Sequence, residues 1–160
     1  MIRRIIEPGT PPAGSMLANI KKFTKAGISC GVNVDPIMPL INDTDTELDA
    51  VVNSSKAAGL QHVSGAIMRL RTDIWERMKI AIKLLEISDG INEYKRLYKF
   101  EEPPNSSYVM ADKSYTERIL GSLEQKVRMC GMSCNFPEHL KTRHVDKSHL
   151  GQTNLLNYLM

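Results

Sequence analysis

The feature that most constrains this chain is an alternation of two hydrophobic periods along its first ninety residues. Residues 2 to 6, IRRII, read as a short strand stopped by Glu7-Pro8-Gly9, because proline cannot donate to a ladder and glycine permits the turn. Met16, Leu17, Ile20 and Phe23 then recur at helical spacing, with Gly27 as the C-terminal stop. Residues 28 to 35 predict a second strand. A loop at 36 to 43 leads to Thr44 and Glu47, which have the spacing of a capping box, and Leu48, Val51, Val52 and Ser55 share one face of a helix that runs to Gly59. HVSGAIMRL, residues 62 to 70, predicts a third strand, after which Thr72 opens a helix with Ile74, Met78, Ile82 and Leu85 on one face. KAGI at 25 to 28 is echoed by KAAGL at 56 to 60, about one unit further on.

Three strand-helix units in succession predict an α/β fold, with parallel strands joined by right-handed crossovers and helices covering the sheet. Three parallel strands make a short sheet, and Met1 stands almost inside the first, so an open edge in want of a partner is expected. After Leu85 the pattern changes. Residues 86 to 113, which include EEPPNSS, are polar and poorly periodic, predicting a loop-rich connection with a helical turn around Tyr94 to Tyr98. Ser114 and Glu117 have the spacing of a second capping box, and Tyr115, Ile119, Leu123 and Val127 line a last helix that stops at Gly131. The expected organisation is three units over residues 1 to 88, a connecting loop and helix of the same domain over 89 to 136, and a tail over 137 to 160.

Composition narrows the classes of function. With 160 residues, 42% hydrophobic and 24% charged, the chain is long enough to bury a core. It has no run of about 18 apolar residues to span a bilayer, and its N-terminus is too short in apolar residues for a signal peptide, which predicts a cytoplasmic protein. A net charge of +3 permits a nucleic-acid partner, without the concentrated basic stripe that would argue for one. Three cysteines without an export signal leave reduced thiols or metal ligands as the options. Cys30 reads as a small buried apolar residue. Cys130, Cys134, His139 and His144 spell C-x3-C-x4-H-x4-H, enough donors for a tetrahedral zinc but a spacing that matches no standard finger closely. They support an alternative reading of the chain as a noncatalytic binding or regulatory module. A small phosphate-binding α/β protein is disfavoured, since no glycine-rich phosphate loop is present.

IIEPGTPP, AGISCGVNVDPIMPLIND and AGLQHVSGAIMRL, in that order, resemble the later strand-helix units of radical S-adenosylmethionine proteins similar to spore photoproduct lyase, the DNA repair photolyase-like branch. In that branch a Glu-Pro-Gly follows one strand, a proline-rich loop closing on Asn-Asp follows the next, and a third strand ends near Leu-Arg-Leu. The corresponding residues here are Glu7-Pro8-Gly9, Pro36 to Pro39 with Asn42-Asp43, and Met68-Arg69-Leu70. SYTERILGSLEQKVRMCGMSC is similar to the branch's C-terminal helix and the cysteine-bearing segment after it, here Cys134; the similarity covers about residues 1 to 140.

The resemblance implies half of a partial (β/α)6 radical-SAM-type barrel, with a 4Fe-4S cluster and S-adenosylmethionine at the carboxyl ends of the strands. It also implies reductive cleavage of that cofactor to a 5′-deoxyadenosyl radical, which abstracts hydrogen from a substrate. The family's CxxxCxxC cluster motif is absent: Cys130 and Cys134 have its first spacing, but position 137 is proline. On this reading the chain supplies pocket wall and not the cluster. It is then a split subunit that needs a complementary N-terminal half-barrel, a fragment or relic of a longer protein, or a homo-oligomer joined through the open sheet edge. The resemblance places four candidate cofactor-binding residues at strand ends or on strand faces: Glu7, Asn33, Asp35 and Arg69. Glu7 could accept hydrogen bonds from ribose hydroxyls or the methionine ammonium, or be a turn-side carboxylate. Arg69 could pair with the methionine carboxylate through its two-bond fork, or form a surface ion pair. Asn33 and Asp35 share one strand face, which either looks into a pocket or into solvent.

Overall fold

In a computed structural model of the chain, the described residues are 2–105 and 107–135. The elements run α1 (Ile2–Ile6), α2 (Ala13–Lys25), β1 (Gly31–Ile37), α3 (Asp45–Ala57), β2 (His62–Ile67), α4 (Thr72–Leu84), α5 (Gly90–Tyr98) and α6 (Lys113–Met129). The strand expected at residues 2 to 6 is a helix. Adjacent Arg3 and Arg4 break the alternation a strand requires, and a segment of only five residues fits either period. As a helix, α1 lies against α4 and brings Ile6 onto the core.

The sheet therefore has two strands, and the expected series of three parallel strand-helix units, half of a (β/α)6 barrel, is not what the chain forms. It is a mixed α/β fold with one β-α-β unit, in which β1 and β2 pair in parallel across the α3 crossover. The register sets Gly31 opposite His62, Asn33 opposite Ser64 and Val34 opposite Gly65. Beyond β2, Ser133 adds one parallel bridge: Val63 N–H donates to the Ser133 carbonyl (2.9 Å) and Ser133 N–H to the Gln61 carbonyl (3.0 Å). The outer edge of β1 has no strand partner among the described residues. Pro36 lies within β1, a place that an edge strand tolerates and a central one does not.

Glycine caps explain why the echo KAGI and KAAGL recurs. At Gly27 and Gly59, both with φ of +79°, the chain takes the left-handed turn of a Schellman cap. Ile28 N–H reaches back to the Phe23 carbonyl (3.0 Å) and Leu60 N–H to the Ser55 carbonyl (3.1 Å), and the same closure recurs where Met132 N–H meets the Val127 carbonyl (3.1 Å). Ile28 is used in this cap, so β1 starts at Gly31 and not at residue 28. Thr44 caps α3 as expected, its hydroxyl accepting from Glu47 N–H (3.3 Å). The second expected box fails by two residues: Asp112, not Ser114, caps α6, accepting from Ser114 N–H (2.9 Å).

The predicted helix faces of α3, α4 and α6 supply the core. Leu48 and Val52, Met78 and Ile82, and Ile119, Leu123 and Val127 are all buried. Helix α6 seats on β2, where a Cβ at Gly65 would stand 2.8 Å from Leu123 Cδ2, so this glycine sets the close approach of helix to sheet. The segment expected to be a loop with one helical turn is instead a full helix, α5, whose Tyr94 and Tyr98 are among the most deeply buried side chains. With Trp75 and Phe100 they form an aromatic cluster: Trp75 meets Phe100 edge-on at 5.3 Å and Tyr94 at 5.9 Å, while Tyr94 and Tyr98 stack at 5.8 Å. No helix among the described residues is long and apolar enough to cross a membrane. The expected tail over 137 to 160, with His139 and His144 of the zinc reading, lies outside the described residues.

Candidate functional site

The carboxyl end of β1 runs into a loop that two tyrosines hold in place, and a third holds the end of β2. Tyr94 of α5 donates its hydroxyl to the Pro39 carbonyl (2.7 Å), and Tyr115 of α6 donates to Asp43 Oδ2 (2.6 Å). Tyr98 donates to the Met68 carbonyl (2.7 Å), just beyond β2. Within the loop, Met38 N–H donates to Asn42 Oδ1 (2.6 Å) and Asn42 Nδ2 to the Pro36 carbonyl (3.4 Å), so the Asn-Asp pair closes the turn with Asn42 and anchors it with Asp43. Burial pushes all three phenols above their ordinary pKa, so they act as neutral donors. The strand ends are therefore rigidly presented, which is what a preorganised ligand site needs.

The four sequence candidates divide. Glu7 and Asp35 come together: both line one groove of about 650 Å³ at the carboxyl end of β1, walled by Ile6, Val34, Leu48 and Met68. Glu7 Oε2 accepts from the Thr10 hydroxyl (3.0 Å). Asn33 sits on the same strand face as Asp35, with Nδ2 at 3.5 Å from Asp35 Oδ2, and its Oδ1 accepts from Ser64 Oγ (3.0 Å) across the sheet. Asn33 is exposed and does not line the groove, whereas Asp35, also exposed, stands at its rim. Arg69 stands apart. Its guanidinium lies 5.3 Å from the centroid of the Tyr108 ring, which Arg71 approaches at the same distance while pairing with Asp73 through two bonds (2.6 and 3.0 Å). The Tyr108 segment is held there by the antiparallel pair of Leu70 and Val109.

Against known proteins, this chain is similar to uncharacterized proteins of Mycobacterium tuberculosis and Mycobacterium bovis, 31% identical over 100 residues. The match covers 61% of this chain and 28% of each relative, so the chain spans under a third of the length of the relatives it matches. No family model matches, and no solved structure matches.

The cysteines do not converge. Cys30 precedes β1, Cys130 is the C-terminal cap of α6 with its sulfur 3.9 Å from Asn53 Oδ1, and Cys134 follows Ser133, the residue that bridges to β2. Among the described residues no three Cys, His, Asp or Glu side chains are grouped to hold a metal. Burial raises the Cys134 thiol pKa, with Glu124 adding to the shift, which disfavours the thiolate.

Sequence reading missed the tyrosine clamps and the seat of His62. The His62 ring lies directly over Gly31, where a Cβ would come within 1.8 Å of Nε2, and burial lowers its pKa. The spacing of Ile91, Tyr94 and Tyr98 was the available signal for α5, masked by Glu93, Lys95 and Arg96 on the opposite face.

Proposed function

We propose that this chain is the cofactor-facing portion of a radical S-adenosylmethionine protein similar to spore photoproduct lyase, acting together with further polypeptide that supplies the cluster. The observation that carries the reading is the groove at the carboxyl end of β1, which Glu7 and Asp35 both line and to which no cysteine contributes. In parallel α/β units ligands sit beyond the carboxyl ends of the strands, and these carboxylates are suited to accept hydrogen bonds from an ammonium and from ribose hydroxyls. The described cysteines do not fit an iron-sulfur cluster, so no cluster step is assigned to this chain. When bound, S-adenosylmethionine supplies the radical chemistry; Glu7 and Asp35 bind and orient it. The match to under a third of longer relatives supports a division of labour between this unit and other polypeptide.

The test is anaerobic reconstitution of the purified chain with iron and sulfide, alone and mixed with a polypeptide bearing a CxxxCxxC motif. Expected are no cluster absorbance and no 5′-deoxyadenosine from the chain alone, turnover in the mixture, and about tenfold weaker S-adenosylmethionine binding in Glu7→Gln, a loss of about 1.4 kcal/mol. A four-iron cluster and cofactor cleavage on the chain alone would overturn the reading, as would unchanged cofactor binding in both Glu7→Gln and Asp35→Asn.

A further inference from the structure

The groove that holds Glu7 and Asp35 does not end at the carboxyl end of β1. A second hollow of about 360 Å³, lined by Met16, Leu17, Ile20 and Val32, shares Ala50 and Val51 with it. Together they form one trough along β1, floored by Val32 and Val34 and flanked by α2 and α3. The two valines project from the strand at period two, so two successive sites in the trough are one i, i+2 step apart. Beside the trough lies the outer edge of β1, whose outward backbone groups have no strand partner among the described residues. Unpaired strand edges are templates for another strand.

Charge defines one end of this trough. Glu7, Asp35 and Glu47 line it at the carboxyl end of β1, and none of the ion pairs among the described residues involves them. Their hydrogen-bond donors are the neutral groups Thr10 Oγ1, Asn33 Nδ2 and Thr44 Oγ1. Three carboxylates around an apolar trough call for a cation, and the edge calls for a backbone.

We propose that the outer edge of β1 accepts an extended strand of a partner polypeptide, whose alternate aliphatic side chains fill the trough and whose terminal basic residue meets Glu7, Asp35 and Glu47. The other alternate side chains of that strand face the exposed surface around Asn33 and are polar. Main-chain bonds supply affinity, while the trough and the acidic end supply register, because a one-residue slip would turn the aliphatic set to the polar face. The inference stands without the cofactor reading, and because both draw on Glu7 and Asp35 in one groove, the strand and the cofactor exclude one another there.

The probe is a fluorescein-labelled seven-residue peptide, the length of β1, alternating valine and threonine and carrying lysine at one end. Peptides with lysine at the C-terminus and at the N-terminus cover both strand directions. Fluorescence anisotropy gives affinity, and amide hydrogen exchange gives location. Expected are slowed exchange across Gly31–Ile37, roughly tenfold weaker binding when the lysine is replaced by glutamate, and loss of binding when alternate peptide nitrogens are methylated. Glu7→Lys, a change at an exposed side chain, should reverse the preference toward the glutamate-ended peptide; Val34→Lys should close the trough to both. The proposal is overturned by absence of binding, by binding that leaves β1 exchange unchanged, or by indifference to the terminal charge. Displacement of the peptide by hexylamine at matched concentration would also overturn it, marking the groove as a small-amine site.

Discussion

Helices α2 and α4 are both amphipathic, both 13 residues long, and have opposite fates. Helix α4 buries Trp75, Met78, Ala81 and Ile82, and its tryptophan joins Tyr94 and Phe100 in the aromatic cluster. Helix α2 buries none of its residues, and Met16 and Phe23 stay 45% and 52% exposed. It is tied to the rest through Thr24, whose hydroxyl donates to the Ala58 carbonyl (2.9 Å). An apolar stripe therefore dictates that a segment be helical without dictating that its own chain covers the stripe. The half built on α4, α5 and α6 completes its packing internally, while the half built on α2 and β1 displays apolar surface and a strand edge, the two properties of an assembly face.

The largest expected effect breaks or makes that contrast. Trp75→Ala should cost about 3–5 kcal/mol of unfolding free energy, because a fully buried ring leaves a cavity among other rigid rings. Phe23→Ser should change stability by no more than about 0.5 kcal/mol. Urea denaturation followed by circular dichroism measures both, and a cost of several kcal/mol at Phe23 would mean that α2 belongs to the core. Trp75→Phe should lose far less than Trp75→Ala, since the buried indole Nε1 has no hydrogen-bond partner among the described residues and its removal relieves an unsatisfied donor.

A smaller effect tests whether the aromatic half rigidifies the strand ends. Tyr98→Phe keeps the ring and removes the donor to the Met68 carbonyl, at an expected cost of about 1 kcal/mol. The loss should show as faster amide exchange at residues 68 to 70 while exchange in α2 is unchanged. Uniform acceleration throughout the chain would mean that the hydroxyl serves global stability and not the local presentation of the strand end.

How much of this was legible in the sequence follows the same division. The Gly27, Gly59 and Gly131 stops, the Thr44 cap and the buried faces of α3, α4 and α6 were readable because each is a local signal with one physical meaning. The identity of residues 2 to 6 was not, because whether IRRII is strand or helix depends on what pairs with it, and that is tertiary information. Helix α5 was hidden by its charged face, and the tyrosine clamps by sequence separations of 30 to 72 residues. At the candidate site, Glu7 and Asp35 line one groove although Glu7 follows a helix and not the expected strand, whereas the partner of Arg69, Tyr108, lies in a segment without periodicity that only the Leu70–Val109 pair locates.

The smallest expected effect concerns the C-terminal cap of α4. Helix α4 ends in the same closure as the glycine-capped helices: Ile87 N–H bonds the Ile82 carbonyl and Glu86 N–H the Lys83 carbonyl, both 3.1 Å. The left-handed position, however, is occupied by Glu86, with φ of +55° and an exposed side chain. A non-glycine residue there costs about 1–2 kcal/mol, and glycine would give back about 0.4–1 kcal/mol through the freedom it adds to the unfolded chain. Glu86→Gly should therefore stabilise the protein by about 0.5–1 kcal/mol, read as a higher urea midpoint at unchanged slope. Gly59→Ala should move the midpoint the other way and further, because its Cβ would also stand 3.1 Å from Thr24 Oγ1, the group that tethers α2. If both substitutions shifted the midpoint equally and oppositely, the strain at this cap would be purely local. A larger loss at Gly59 means instead that the cap of α3 also fixes α2 through Thr24.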